Sequence, residues 1–157
     1  MTFTIYRYCG VESYFVSKHK EQVNQEIVRR GLVSVMNNTK WTELQDSVCH
    51  ELPFTPPYQI KLVLEPSPYP KDFDSDVSYL GDWSNECLKP FYAIEWLRIR
   101  PRYLRHCGQL IEPDVENIEP ELLSLLHRHH ILYQKDGDTI LVYGYARETA
   151  SLLEGSQ

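Results

Sequence analysis

The sequence predicts an α+β domain, a mostly antiparallel sheet of about four to five strands packed with three helices. Three observations lead there. Two segments in the first third place apolar residues at helical spacing. Later strand-like runs follow one another without helices between them, as antiparallel connections allow. Lys135-Asp136-Gly137-Asp138 separates two apolar runs, and Asp-Gly in that setting favours a hairpin turn.

Residues 1–15 are rich in aromatics and predict a short strand or arm. Val16, Val23 and Ile27 then mark a helix, and Gly31 supplies its stop. Asn37 or Asn38 can cap a second helix with Trp41, Leu44 and Val48 on one face; Pro53 ends it. Tyr58 to Leu64 alternates as a strand, with Tyr58, Ile60, Leu62 and Leu64 on one face. Residues 65–78 read as a loop and Val77 to Trp83 as a short strand. Phe91 to Ile99 is apolar nearly throughout, as a central strand covered on both faces would be. Residues 108–117 form a loop, and Asn117 caps a third helix with Pro120 in its first turn. Leu122, Leu123, Leu125 and Leu126 are that helix's buried stripe, and Ile131–Gln134 and Thr139–Tyr143 are the hairpin strands. The chain divides into a 1–31 extension, a 32–146 core domain and a flexible 147–157 tail.

One domain suits 157 residues, and 42% hydrophobic with 24% charged residues is a globular balance. The net charge of −6 argues against nucleic acid, which needs a basic footprint, and towards a basic protein partner. No apolar run approaches a membrane span, and Met1–Cys9 lacks the charged-then-apolar order of a signal peptide. A cytoplasmic location is therefore expected. Cys9, Cys49, Cys87 and Cys107 have no close pairing and read as free, buried thiols. His127-Arg-His129-His130, Cys49-His50 and His106-Cys107 lack the tight paired spacing of zinc ligands, and no cofactor fingerprint is present. Neither metal nor cofactor is expected.

Eight of the ten prolines, and ten aromatic residues, fall between Pro53 and Arg105. Proline stiffens loops and aromatics give large contact area at low entropic cost. Within this stretch Glu65–Glu86 holds six acids against Lys71 alone. One reading is a surface for a basic protein, with Asp72, Asp74, Asp76, Asp82 and Glu86 as charges and Phe73, Tyr79 and Trp83 as anchors; the other is a solvated loop. A second candidate is a cleft of a small enzyme or ligand-binding domain, using Glu95 with Arg98, Arg100 and Arg102 of the Arg98–Arg105 run. Its plainer reading pairs Glu95 with Lys61, and the arginines with Glu112, Asp114, Glu116, Glu119 and Glu121.

Met36-Asn-Asn-Thr-Lys-Trp41, Leu44, Pro53, Pro57-Tyr58, Ile94-Glu-Trp-Leu97 and Tyr143-Gly144-Tyr145 resemble a family of small bacterial domains of unknown function, over residues 32–146. The resemblance implies no activity and no catalytic residues. In size, charge and aromatic loop the chain is also similar in style to immunity proteins of bacterial toxin systems. That likeness implies a non-enzymatic module that occludes a basic toxin.

Overall fold

In the computed structural model the described residues are 11–147. The N-terminal arm and the tail expected over 1–10 and 148–157 lie outside them. The elements are α1 (Val11–Arg30), β1 (Val33–Ser34), α2 (Asn38–Glu51), β2 (Tyr58–Leu62), α3 (Asn85–Leu88), a 3-10 turn (Phe91–Ala93), β3 (Ile94–Ile99), β4 (Arg102–Arg105), β5 (Asp114–Asn117), α4 (Glu119–Arg128), β6 (Tyr133–Asp136), β7 (Thr139–Tyr143) and β8 (Tyr145–Ala146). The fold is α+β.

Local chemistry sets the boundaries. Gly31 ends α1 at φ +66, a conformation that a side chain disfavours. The Asn37 side chain accepts the Lys40 N–H at 2.8 Å and caps α2. The N-cap of α4 is Ile118 rather than the expected Asn117, whose Oδ1 still accepts the Glu119 N–H at 2.9 Å from one position further back, and Pro120 sits in the first turn. Gly137, at φ +58, turns β6 into β7.

The main sheet has the order β2-β3-β7-β6, antiparallel throughout, and β1-β8 and β4-β5 form two separate ribbons. Leu97, Ile99, Ile140 and Val142 of the sheet pack with Trp41, Leu44 and Val48 of α2 and Leu122, Leu125 and Leu126 of α4. The register of β2 against β3 shifts beyond Lys61, leaving Glu95 as an extra residue between the Trp96 and Ile94 pairings. Trp41 stacks on Phe91, ring centroids 6.1 Å apart, where the chain enters β3.

Four expectations are corrected. Helix α1 starts at Val11, so the aromatic residues from Tyr14 onward are helical. Val77–Trp83 is not a strand, because its backbone bonds run to different elements: Val77 C=O to Leu104 N–H, and Gly81 N–H to Thr55 C=O. Asp114–Asn117 is not loop but pairs with β4. Cys49, Cys87 and Cys107 are exposed rather than buried.

Candidate protein-binding groove

The proline-rich connection between β2 and β3 folds back on the edge of β2 and forms the wall of an open groove of about 450 Å³. It is lined by Tyr58 and Ile60 of β2, by Tyr69 and Pro70, and by Tyr79 to Asp82 with Cys87. Most of this lining is apolar. Tyr69, Tyr79 and Leu80 are 78%, 48% and 50% exposed, large apolar residues that the fold leaves facing solvent.

Each wall is pinned. Ile60 and Tyr69 exchange both backbone hydrogen bonds, at 2.7 and 2.8 Å, and the Gln59 amide donates to Pro70 C=O at 2.8 Å. Across the groove, the Tyr58 hydroxyl donates to Asp82 C=O at 2.5 Å and the Trp83 indole to Pro56 C=O at 2.8 Å. Gly81 passes so close to Pro56 that a Cβ would lie 2.2 Å from its carbonyl oxygen. Burial pushes the Tyr58 hydroxyl far above its ordinary pKa, so it remains a donor.

The carboxylate at the rim is Asp82. Hydrogen bonds from the Ser84 hydroxyl and backbone, and from Cys87, hold it below the usual carboxylate range, so it is fully ionised at neutral pH. Its bond to the Cys87 thiol, with some burial, pushes that thiol above its ordinary value. Cys87 is thus an exposed but poorly nucleophilic groove residue.

The eight residues expected to meet a partner divide into two groups. Asp72, Asp74, Tyr79, Asp82 and Glu86 are exposed. Phe73 and Trp83 are not partner anchors: at 5% and 3% exposure they are interior residues. Alternation within the loop explains this, since Phe73 turns under the Arg100 guanidinium, 4.9 Å from its ring centroid, while Asp72 and Asp74 turn outward. Trp83 packs edge-on against Tyr58. Asp76 is also withdrawn from partner contact, held by Arg102 at 2.6 Å.

The alternative site does not assemble as a cleft. Glu95 is 8% exposed and takes both guanidinium N–H groups of Arg30, at 2.6 and 3.0 Å, and the Lys61 ammonium at 3.2 Å. Burial alone pushes its carboxyl up, but the Arg30 hydrogen bond and the Lys61 charge outweigh burial and leave it below its ordinary value. That is the reverse of what a general base requires. The Lys61 pairing read from the sequence is present, and Arg30 joins it. Arg98 instead pairs with Asp136 at 2.9 Å. Arg100 donates to Phe73 C=O, and Arg102 bridges Asp76 and Asp138. The expected acidic block supplies only Arg105's partner, Glu116, at 3.7 Å. Distance along the chain misled here, because the loop and the hairpin turn return to the same edge.

One grouping had no signal in the sequence. The Ser47 Oγ lies 2.9 Å from His129 Nε2, and His129 Nδ1 lies 3.5 Å from Glu43, the order of a nucleophilic triad. Ser47 is only 6% exposed between α2 and α4, and it also bonds Glu51. It fastens two helices. The histidines do not converge: His127 meets the Tyr133 hydroxyl at 3.0 Å, and the His130 carbonyl accepts from Lys40. Among the described residues no three His, Cys, Asp or Glu side chains gather as metal ligands, and no helix is long and apolar enough to cross a membrane.

Comparison with protein families matches residues 23–149 to a family of unknown function (DUF6678). The chain belongs to this family. The match takes in the second half of α1, beyond the 32–146 span of the sequence resemblance. Searches against curated proteins and against solved structures return no match. Several residues of the resemblance have structural work in this DUF6678 domain. Asn37 caps α2, Trp41 is core, and Gly144 passes Ile94 where a Cβ would sit 2.2 Å from its carbonyl oxygen.

Proposed function

We propose that this DUF6678 domain is a non-enzymatic protein-binding module that seats a basic segment of its partner in the β2-edge groove. The observation behind the reading is the groove itself: an apolar recess with pinned walls and an ionised Asp82 at its rim. A preformed site spares the ordering cost that a mobile loop would impose on binding. The exposed carboxylates of Asp72, Asp74, Asp82 and Glu86 would steer a cationic partner and set its orientation. Tyr79, Tyr69 and Leu80 would supply the desolvated contact that dominates interface energies.

The arrangement suits an immunity-type role in the cytoplasm, in which a basic toxin domain is occluded rather than modified. The exposed free thiols of Cys49, Cys87 and Cys107 fit a reducing compartment. The test uses the intact chain as bait in an extract of its source cells, beside a variant in which Asp72, Asp74 and Asp82 become Asn and Glu86 becomes Gln. A stoichiometric basic protein retained at low salt, released by salt and missing from the variant supports the reading. Equal retention by both baits, or none by either, refutes it.

A further inference from the structure

The groove's own groups narrow what it can hold. Ile60, the middle residue of β2, has both its N–H and its C=O engaged by Tyr69, and the Gln59 amide engages the Pro70 C=O. A partner segment therefore cannot add to this edge as a further strand, because strand addition needs that row of donors and acceptors free. What the groove leaves open is aromatic. Tyr69 and Tyr79 are 78% and 48% exposed, and Tyr58 and Leu80 line the same recess. Each exposed tyrosine presents an apolar ring face with a hydroxyl donor at its tip. Asp82 is the one charged residue of the lining, and none of the groups that hold its carboxylate is a cation.

We propose that the segment seated here is a proline-rich stretch in the polyproline II conformation, flanked by a Lys or Arg that pairs with Asp82. The inference rests on the reading of the groove as a site for a basic segment, and names that segment's conformation and composition. A polyproline II helix has no internal hydrogen bonds and no ladder to complete, so a closed strand edge does not penalise it. Its pyrrolidine rings pack on aromatic faces, and its carbonyl oxygens accept from tyrosine hydroxyls. Both surfaces are ordered before they meet, which lowers the entropic cost of binding. Proline orders the segment; the Ile60–Tyr69 exchange and the Trp83 indole bond to Pro56 order the walls. An α-helix fits less well. It is about 10 Å across, so roughly one turn would fill the 450 Å³ of the recess, too little for anchors at i, i+3, i+4 and i+7. The exposed Asp82 carboxylate then selects a cationic flank.

Fluorescence anisotropy with the intact chain at low salt tests this. The dye-labelled probes carry one arginine followed by a short run of proline, of alternating Thr and Val, or of alternating Gly and Ser. The proline peptide should bind about tenfold more tightly than either of the others. Tyr69→Ala and Tyr79→Ala should each weaken it by about fivefold or more. Asp82→Asn should remove its advantage over the same peptide led by glutamate. Both tyrosines are exposed, and Asn keeps the Oδ1 that accepts the Ser84 N–H, so unchanged unfolding transitions are expected of all three variants. Equal binding of the peptides or tighter binding of the Thr-Val peptide overturns the proposal. So does a proline peptide that fails to bind at millimolar concentration, or that binds the groove variants as it binds the wild type. A basic protein still captured from the source extract through Asp72, Asp74, Asp82 and Glu86, with the proline peptide unbound, would refute the segment's conformation and leave the binding module standing. Failure of both would refute the groove itself.

Discussion

Asp76 accepts a hydrogen bond from Arg102 at 2.6 Å and so ties the middle of the proline-rich loop to β4. The same carboxylate lies 3.9 Å from Arg100, whose guanidinium is buried above Phe73. An acid that the sequence offers as a partner contact is therefore an internal clamp. It keeps the loop whose far end forms the groove wall against the sheet.

Replacing Asp76 with Asn should destabilise the fold by about 1–3 kcal/mol, since Arg102 keeps only Asp138 and the buried Arg100 keeps only the Phe73 carbonyl. Urea unfolding gives the loss. Hydrogen exchange should accelerate in residues 69–82 before it does in α2 or α4. A change within about 0.5 kcal/mol would mean that the pair behaves as an ordinary surface bridge.

Glu95 sets an acid limit. Its carboxyl lies below the ordinary value in the folded state, so the unfolded chain binds the proton more readily. The stability it contributes is present above the unfolded pKa, near 4.5, and is lost as pH falls through the folded pKa. Glu95→Gln should flatten the acid limb of the stability profile. At neutral pH it should also cost about 3 kcal/mol, because Arg30 and Lys61 keep their charges without the carboxylate. Chemical unfolding at a series of pH values reads both effects.

The aromatic residues separate by role. Phe73→Ala and Trp83→Ala should each cost about 3–5 kcal/mol of stability, as interior truncations do. Tyr79→Ala and Leu80→Ser should leave stability within about 0.5 kcal/mol yet abolish partner capture. Paired thermal melts and pull-downs distinguish the two classes, and a destabilised Tyr79 variant would place that residue inside the fold.

Gly81→Ala forces a Cβ against the Pro56 carbonyl oxygen. The strain should cost about 1–3 kcal/mol and displace the wall that carries Tyr79, Leu80 and Asp82. Thiol labelling of Cys87, which lines the same wall, should change rate in this variant. An unaltered rate would show that the wall yields elsewhere.

Much of the fold was legible because its signals are local. The Asn37 cap, the Gly31 stop, the Asp136-Gly137 turn and the Leu122–Leu126 stripe each act within a few residues. Lys61 and Glu95 could be matched because each interrupts an apolar strand. The site was less legible. Phe73 and Tyr79 look alike in sequence, and only the return of the loop over Arg100 decides that one is interior and the other exposed. Arg102 has nearer acids along the chain than Asp76, but the loop brings Asp76 to it through space. The β4–β5 arm was missed because polar residues and a glycine break any alternation before β5.

The most direct test of the binding-module reading is site-specific photocrosslinking from the groove in the source cells. A benzophenone amino acid placed at Leu80 should give one predominant adduct with a basic protein. That adduct should disappear when Asp82 and Glu86 are neutralised and should be absent when the probe sits at exposed Gln134 on β6. Adducts that form equally from Gln134, or that persist without the Asp82 and Glu86 charges, would contradict the assignment of the groove as the recognition surface.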